Sequence, residues 1–289
     1  MEVQETEDGL LTITPGDLRA EEKQFFINID KKMGIDEIYY KILRGYSQGH
    51  SKIILSGELT DEQLDILEMV SKRIVGLEVS EQKTNQMVLS ELIRIEEVDL
   101  DKIINQMLSF IIIMGKDILS YAKKGVDPGD RILDKNSLIT RNHNLAFRVC
   151  NIALKNSAYL SKVGKTTNDI LIISRVLRHI DNIGINLIAC SYLLNKEMTP
   201  GMKKFHYKTF EQTNRKFIYK SLKKWLLLFV KIKKIVKSRD YKKAAELYIK
   251  RFELSFEADE FNEFTSAAVM VFDQLSRNSY LILREFLML

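Results

Sequence analysis

Cysteine, proline and long apolar runs are scarce in this chain of 289 residues, and each scarcity excludes a class of protein. Two cysteines cannot build a disulfide framework, which favours a reducing, cytoplasmic setting. Three prolines leave long helices uninterrupted. The longest apolar runs, 110–114 and 225–230, fall far short of the roughly 18 residues of a membrane span. Residues 1–8 are acidic and lack an apolar core, so we expect no signal peptide, no membrane span and a cytoplasmic protein.

Familiar catalytic signatures are also scarce. The sequence has no Walker A loop, no Gly-x-Gly-x-x-Gly and no His-Glu-x-x-His. None of the four histidines has a Glu three positions earlier, as a ferritin-like di-iron bundle requires. We therefore predict that the protein is not an enzyme. The alternative is an enzyme whose site is assembled from residues distant in sequence.

Charge is unevenly distributed behind a net charge of +5. Residues 1–100 hold 11 basic and 21 acidic side chains, whereas residues 202–251 hold 17 basic and 3 acidic ones. In that segment lysines alternate with apolar residues at helical spacing, which predicts an amphipathic helix with lysines in solvent. Such a face is either simply solvated or binds a polyanion: nucleic acid, an acidic protein or anionic lipid. The candidate basic face consists of Lys216, Lys220, Lys223, Lys224, Lys234 and Lys237.

The front of the chain mixes strand and helix signals. Residues 3–14 predict a short β-hairpin that turns at Asp8-Gly9. Strand candidates at 25–29, 53–55, 77–79 and 87–92 alternate with helix candidates, one of which opens with the capping box Thr60-Asp-Glu-Gln63. We predict a hairpin at 1–18 followed by a small α/β domain at 19–97.

From Asp99 onward the apolar spacing predicts helices only. Three are expected at about 99–125, at about 131–156 and after the polar stretch 165–169, and three more at about 202–238, 240–257 and 259–288, after the Pro200-Gly201 break. This succession suggests a duplicated three-helix unit. The predicted fold class is mainly α: two three-helix-bundle repeats, at 98–198 and 199–289, preceded by the small α/β domain.

Two polar clusters interrupt this pattern. Arg178, Asn182 and Asn186 follow an i, i+4, i+8 spacing and share one helix face. They form either the polar edge of a bundle helix or a ligand surface. A second cluster is acidic and forms either a solvated helix junction or a hard-cation site; it comprises Glu253, Glu257, Asp259, Glu260 and Glu263.

Three stretches suggest a family. Ile42-Leu-Arg-Gly-Tyr-Ser-Gln-Gly-His-Ser-Lys-Ile-Ile-Leu55 and Ile74-Val-Gly-Leu-Glu-Val79 are similar to the helix–glycine–strand junctions of archaeal-type PhoU-domain proteins. Glu7-Asp-Gly-Leu-Leu-Thr-Ile-Thr-Pro15 resembles the second half of an AbrB-like hairpin pair, so the hairpin at 1–18 resembles a truncated AbrB-like module. The resemblance covers essentially the whole chain and is strongest over 36–123 and 170–190.

The resemblance implies a cytoplasmic, homodimeric regulator of phosphate uptake. It implies a non-catalytic adaptor that binds a phosphate transporter subunit or a sensor or regulator protein. We expect dimerisation through the α/β part or the hairpin. The alternative is a transcription regulator that binds DNA, whose affinity would fall steeply with salt.

The resemblance also implies divalent or ferric metal on a Glu/Asp-x-x-x-Asp motif in the third helix of each repeat. Here Arg178 and Asn182 occupy the two positions of the first motif, and Asp273 and Arg277 those of the second. A cation needs anionic oxygens at both positions. We therefore predict weak or no metal binding and expect the arginines to hold an anion or an ion pair. The motif-position polar face consists of Arg178, Asp181, Asn182, Asn186, Asp273 and Arg277.

Overall fold

A computed structural model describes residues 2–5, 11–14, 24–125, 128, 130–194, 212–253 and 263–289. The chain forms two compact units. The first comprises residues 1–68 and 76–92, and the second comprises residues 69–75 and 93–289. The first unit mixes strands and helices and the second is helical, so the prediction of a mainly α protein with a small α/β part is confirmed.

The strands of the first unit form two separate sheets. In the hairpin, β1 (Glu2–Glu5) pairs antiparallel with β2 (Leu11–Thr14), as predicted. The second sheet has the order β3-β4-β6-β5. Its strands are β3 (Gln24–Asn28), β4 (Lys52–Ser56), β5 (Leu77–Lys83) and β6 (Gln86–Glu91).

Helix α1 (Ile35–Ser47) is the crossover that makes β3 and β4 parallel, while β6 runs antiparallel to both of its neighbours. The predicted capping box is present: Thr60 Oγ1 accepts from Gln63 N at 3.2 Å, and Thr60 N donates to Gln63 Oε1 at 3.1 Å. The prediction of a single helix after Thr60 is wrong. The structure divides it at Asp65 into α2 (Asp61–Leu64) and α3 (Ile66–Arg73).

The second unit contains four helices between residues 100 and 194 and three between 212 and 286 of the described chain. The expected caps of the first are present, because Asp99 Oδ1 accepts from Lys102 N at 3.0 Å and Gly125 is left-handed with φ of 74°. The helices are α4 (Leu100–Lys124), α5 (Arg131–Ala153), α6 (Ser157–Val163), α7 (Thr167–Tyr192), α8 (Gln212–Ser238), α9 (Tyr241–Ile249) and α10 (Glu263–Phe286).

Helix α6 was not expected from the sequence. Asn156 caps it by accepting from Tyr159 N at 3.0 Å, and left-handed Gly164 ends it. The two caps delimit a helix that is too short to show a periodic pattern of apolar residues in the sequence. Of the residues predicted to be helical, 202–211, 254–257 and 259–262 lie outside the described ranges.

Helices α4, α7, α8 and α10 surround the core of the second unit. Helix α4 packs on α7 and α8, and α10 packs on the same two helices. Helix α5 packs on α4 and α7, and α9 on α8 and α10. Gly115 permits a close approach of α4 to α8, because a Cβ there would lie 3.0 Å from Leu226 Cδ1 and 3.3 Å from the Trp225 ring.

Helix α4 is also the one described helix that is long and apolar enough to cross a membrane. Its best 18-residue window has a mean hydropathy of 1.4, and 44% of that window is buried inside the protein. Length and composition alone set this criterion, and a core helix of a soluble protein meets it equally.

Candidate functional site

The six lysines of the candidate basic face all lie on the exposed side of α8. The helix spans 27 residues with nine basic side chains and no acidic one. Positions 216, 220, 224, 227, 231, 234 and 237 follow steps of three and four, so they form one stripe, in which the exposed Leu227 interrupts the lysines and beside which Lys223 lies. At about 1.5 Å per residue, the 21 steps from Lys216 to Lys237 extend roughly 32 Å. The opposite face is fully buried and carries Ile218, Leu222, Trp225, Phe229 and Ile232.

Two basic side chains of this segment, the partly buried Lys233 and the exposed Arg239, are already partnered. Lys233 donates to Ser109 Oγ at 2.6 Å, and burial together with the neighbouring Lys237 lowers its pKa. Arg239 pairs with Asp101 at 3.1 Å. These contacts fix α8 against α4.

A cleft of about 490 Å³ extends the basic face between α8 and α9. Lys231 and Lys234 of α8 and Lys243 and Lys250 of α9 line it, together with a single carboxylate, Glu246. Its apolar lining comes from Ile235 and Leu247. The cleft therefore combines an excess of positive charge with apolar surface.

The polar positions of α7 point in different directions. Arg178 is exposed, whereas Asn182 and Asn186 are half-buried and linked by a bond from Asn186 Nδ2 to the Asn182 carbonyl at 2.7 Å. Asp181 faces α5 instead. There burial raises the pKa of the Asp181 carboxyl, while the nearby His143 and Thr140 oppose the rise.

Asp273 and Arg277 occupy a different place from the α7 positions. Both are exposed on α10 and line a cleft of about 420 Å³ that α10 forms with the end of α9. The contacts recorded among the described residues do not join the six motif-position residues into one cluster. They divide into an α5-facing carboxylate, a polar edge on α7 and part of the α9–α10 cleft.

The α7–α10 contact contains polar residues that we did not predict as site residues from the sequence; there His179 was interpreted as a packed or half-exposed helix residue. His179 Nδ1 lies 3.2 Å from Asn278 Oδ1, and burial lowers the pKa of this histidine. Glu285 is fully buried and pairs with Arg284 and, at 3.2 Å, with Arg175 Nε. One sequence signal was present: Asn278 falls in the apolar stripe of α10, where a polar side chain needs a partner.

The described residues offer no grouping of three or more His, Cys, Asp or Glu side chains that suits a metal ion. The acidic patch at Glu253, Glu257, Asp259, Glu260 and Glu263 lies outside the residues whose side chains are described.

One short motif of the first unit matches a catalytic pattern but lies in the wrong structural context for catalysis. Gly45-Tyr-Ser-Gln-Gly49 matches the Gly-x-Ser-x-Gly pattern of a nucleophile elbow, in which the serine lies between a strand and the following helix. Here Ser47 is the last residue of α1, and strand β4 comes afterwards. Gly45 allows close packing, because a Cβ there would clash with the Phe25 side chain at 2.6 Å. Gly49 allows the chain to turn, because its φ of 93° is rare for other residues.

No family model, no curated protein and no solved structure matches this chain. The resemblance to PhoU-domain proteins therefore stays a prediction, and function has to be argued from the surfaces described above.

Proposed function

We propose that this protein is a PhoU-like, non-catalytic regulatory adaptor of phosphate uptake. Its basic face on α8 would bind an acidic surface of a phosphate transporter subunit or of a sensor or regulator protein in the cytoplasm. The observation that carries the proposal is the stripe of exposed lysines on a helix whose other face is buried. Such a stripe presents charge on a rigid support.

The physical argument is electrostatic. Nine cations without one anion on α8 create a local positive potential that attracts an acidic partner and accelerates association. Lysine ammonium groups act as hydrated point charges rather than as the planar forks that read base edges. The face therefore favours an acidic protein surface over sequence-specific DNA.

The cleft between α8 and α9 adds a place for an anchor. Its apolar lining suits one aliphatic or aromatic side chain of the partner, and its four lysines suit the acidic residues around it. Buried apolar anchors carry much of the energy of protein interfaces, whereas rim charges mainly set the rate and the salt dependence. We expect both contributions here.

Helix packing supports the finer architecture that this proposal includes. Helix α5 packs on α4 and α7 as α9 packs on α8 and α10. This correspondence is what two related three-helix units would give, with α6 as an addition to the first. The proposal includes a homodimer, which sedimentation equilibrium of the purified chain would test.

The test is affinity capture of the tagged protein from its native cells at high and low phosphate, with nuclease treatment and mass spectrometry. We expect a phosphate transporter subunit or a sensor protein among the captured partners. Lys220→Glu combined with Lys223→Glu should abolish that capture, because each substitution reverses a charge on the exposed stripe. Lys123→Glu with Lys124→Glu is the matched control, since both lysines are exposed at the end of α4.

Two outcomes would contradict the proposal. Unchanged capture by the Lys220/Lys223 variant would remove the basic face from the mechanism. Recovery of chromatin proteins that disappears after nuclease treatment would assign the protein to DNA, in which case its affinity for duplex DNA should fall steeply with salt.

A further inference from the structure

A cavity of about 300 Å³ lies at one end of the second unit, where the ends of α4, α7, α8, α9 and α10 meet. Pockets for small molecules have volumes of roughly 300–1,000 Å³, so this one suits a small ligand. We propose that it binds a small zwitterion with an apolar side chain, of which a free aliphatic or aromatic α-amino acid is the simplest example.

The inner wall of the cavity is apolar. It consists of buried side chains from three helices, among them Ile104, Ile173, Ile282 and Phe286. Tyr241 of α9 stacks on Phe286, with ring centres 4.8 Å apart and planes inclined by 7°, and extends this wall towards solvent. A ligand side chain that covers the wall removes apolar surface from water, which favours binding.

The polar rim is held in place by two ion pairs on one carboxylate. Asp101 Oδ2 accepts from Lys165 Nζ at 3.0 Å and from Arg239 Nη2 at 3.1 Å. Arg239 follows the end of α8 with φ of 53°, and no other non-glycine residue of the described ranges has a positive φ. Glycine is usual at such a position, so an arginine there places its side chain against Asp101 at a cost in backbone strain.

The rim also offers polar groups that are not yet used. Lys237 is exposed and forms no ion pair or hydrogen bond with the described residues, and the Tyr241 hydroxyl is equally unpaired within those ranges. Asp169 Oδ2 accepts from Thr166 N at 2.8 Å. The other carboxylate oxygen of Asp169 and Oδ1 of Asp101 accept no bond from any side chain or amide that the structure describes.

These uncommitted groups match a ligand that carries both charges. The ammonium of Lys237 and the Tyr241 hydroxyl suit a carboxylate, while the open oxygens of Asp101 and Asp169 suit an ammonium group. The charged side chains of the lining are three cations and two carboxylates, so neither charge alone dominates. The cavity therefore favours a zwitterion over an ion of one sign.

The same lining disfavours the other classes of small ligand. A divalent metal needs several anionic oxygens, and the three cations would repel it. A phosphate dianion would face two carboxylates and a single uncommitted cation, Lys237. A purely apolar molecule would take the polar rim out of water without giving it partners.

The test is isothermal titration of the full chain with leucine and with phenylalanine. We expect saturable binding of at least one of them. The matching analogue without the ammonium group, isocaproate or hydrocinnamate, should bind about tenfold more weakly, and so should the one without the carboxylate, isoamylamine or phenethylamine. Glycine, which lacks the side chain, should also bind more weakly.

Two results of this titration would overturn the proposal. One is absence of saturation with both amino acids up to about 10 mM. The other is an analogue that lacks one charge and binds as tightly as the amino acid itself, which would show that the rim does not recognise a zwitterion.

Variants locate the binding in this cavity. Lys237→Gln should weaken amino-acid binding about tenfold by removing the cation for the carboxylate. Asp169→Asn should weaken it as well, because it removes a charge but keeps an oxygen acceptor for Thr166 N. The matched control is Lys234→Gln, an exposed lysine of the same helix that lines the α8–α9 cleft instead, and it should leave binding unchanged. Equal binding by the wild type and the Lys237→Gln variant, or equal weakening by Lys234→Gln, would show that the cavity is not the site.

This inference does not rest on the proposed function. Amino-acid binding is measured on the purified chain, whereas partner capture is tested with substitutions at Lys220 and Lys223, which do not line the cavity. Failure of one measurement leaves the other intact. If both succeed, the cavity gives the adaptor a direct means of responding to a small metabolite.

Discussion

The indole Nε1 of Trp225 donates a 3.0 Å hydrogen bond to the hydroxyl of Ser279, and both side chains are fully buried. Ser279 in turn donates to the Leu275 carbonyl at 2.6 Å. This pair joins α8 to α10 and fixes how α8 is rotated about its own axis. Since the lysines lie on the opposite side of that helix, the same contact determines that they face solvent.

The first prediction concerns this bond. Ser279→Ala should lower the free energy of unfolding by about 1–3 kcal/mol, because the indole N–H would remain buried without an acceptor. Urea denaturation of the two proteins measures the difference. Ser120→Ala is the control, because Ser120 is exposed on α4 and its loss should change stability by less than about 0.5 kcal/mol.

The second prediction concerns the buried carboxylate of α10. Glu285→Ala should lower the free energy of unfolding by about 2–4 kcal/mol, because Glu285 is fully buried and pairs with two arginines that would lose their anion. Both arginines are roughly half exposed, so solvation limits the loss. Glu246→Ala, at an exposed site on α9, serves as the comparison. Equal effects of the two variants would mean that the buried pair contributes no special stability.

The third prediction is a pH dependence at Asp181. Burial raises its pKa above the ordinary value of 3.8, so this carboxyl keeps its proton to a higher pH in the folded protein than in the unfolded chain. The stability due to this shift is present below the unfolded pKa and is lost as pH rises through the folded pKa. Asp181→Asn should therefore be more stable than the wild type at about pH 7, and the gain should shrink towards about pH 4. Unfolding free energies of both proteins across that range measure it. A gain that does not change with pH would contradict the assignment.

The fourth prediction concerns the two thiols. Burial raises the pKa of Cys150 to about 11 and that of Cys190 to about 12, and both side chains are fully buried. Because the thiolate is the reactive form, neither should react with a disulfide reagent at about pH 8 in the folded protein. Both should react in guanidinium chloride. Rapid labelling of a thiol under native conditions would show that the α5–α7 packing around it opens.

Local sequence signals were sufficient for much of the fold. The capping box at Thr60 and Gln63, the cap at Asp99 and the left-handed stop at Gly125 act within a few residues, so they can be recognised without tertiary information. The lysine and apolar spacing of α8 is likewise a property of one helix. Helix α6 and the break at Asp65 were missed because short segments carry too little periodicity.

The sequence by itself determined the helical class, the small α/β front and the basic face of α8, because each depends on periodicity and on contacts between near neighbours. Only the tertiary structure decided that Asp181 faces α5, that Glu285 is buried between Arg175 and Arg284, and that Arg251 and Arg277 line one cleft. Those relations join residues on different helices or fix which way a helix is turned. They follow from how the helices pack and rotate against one another, which no pattern within a single helix specifies.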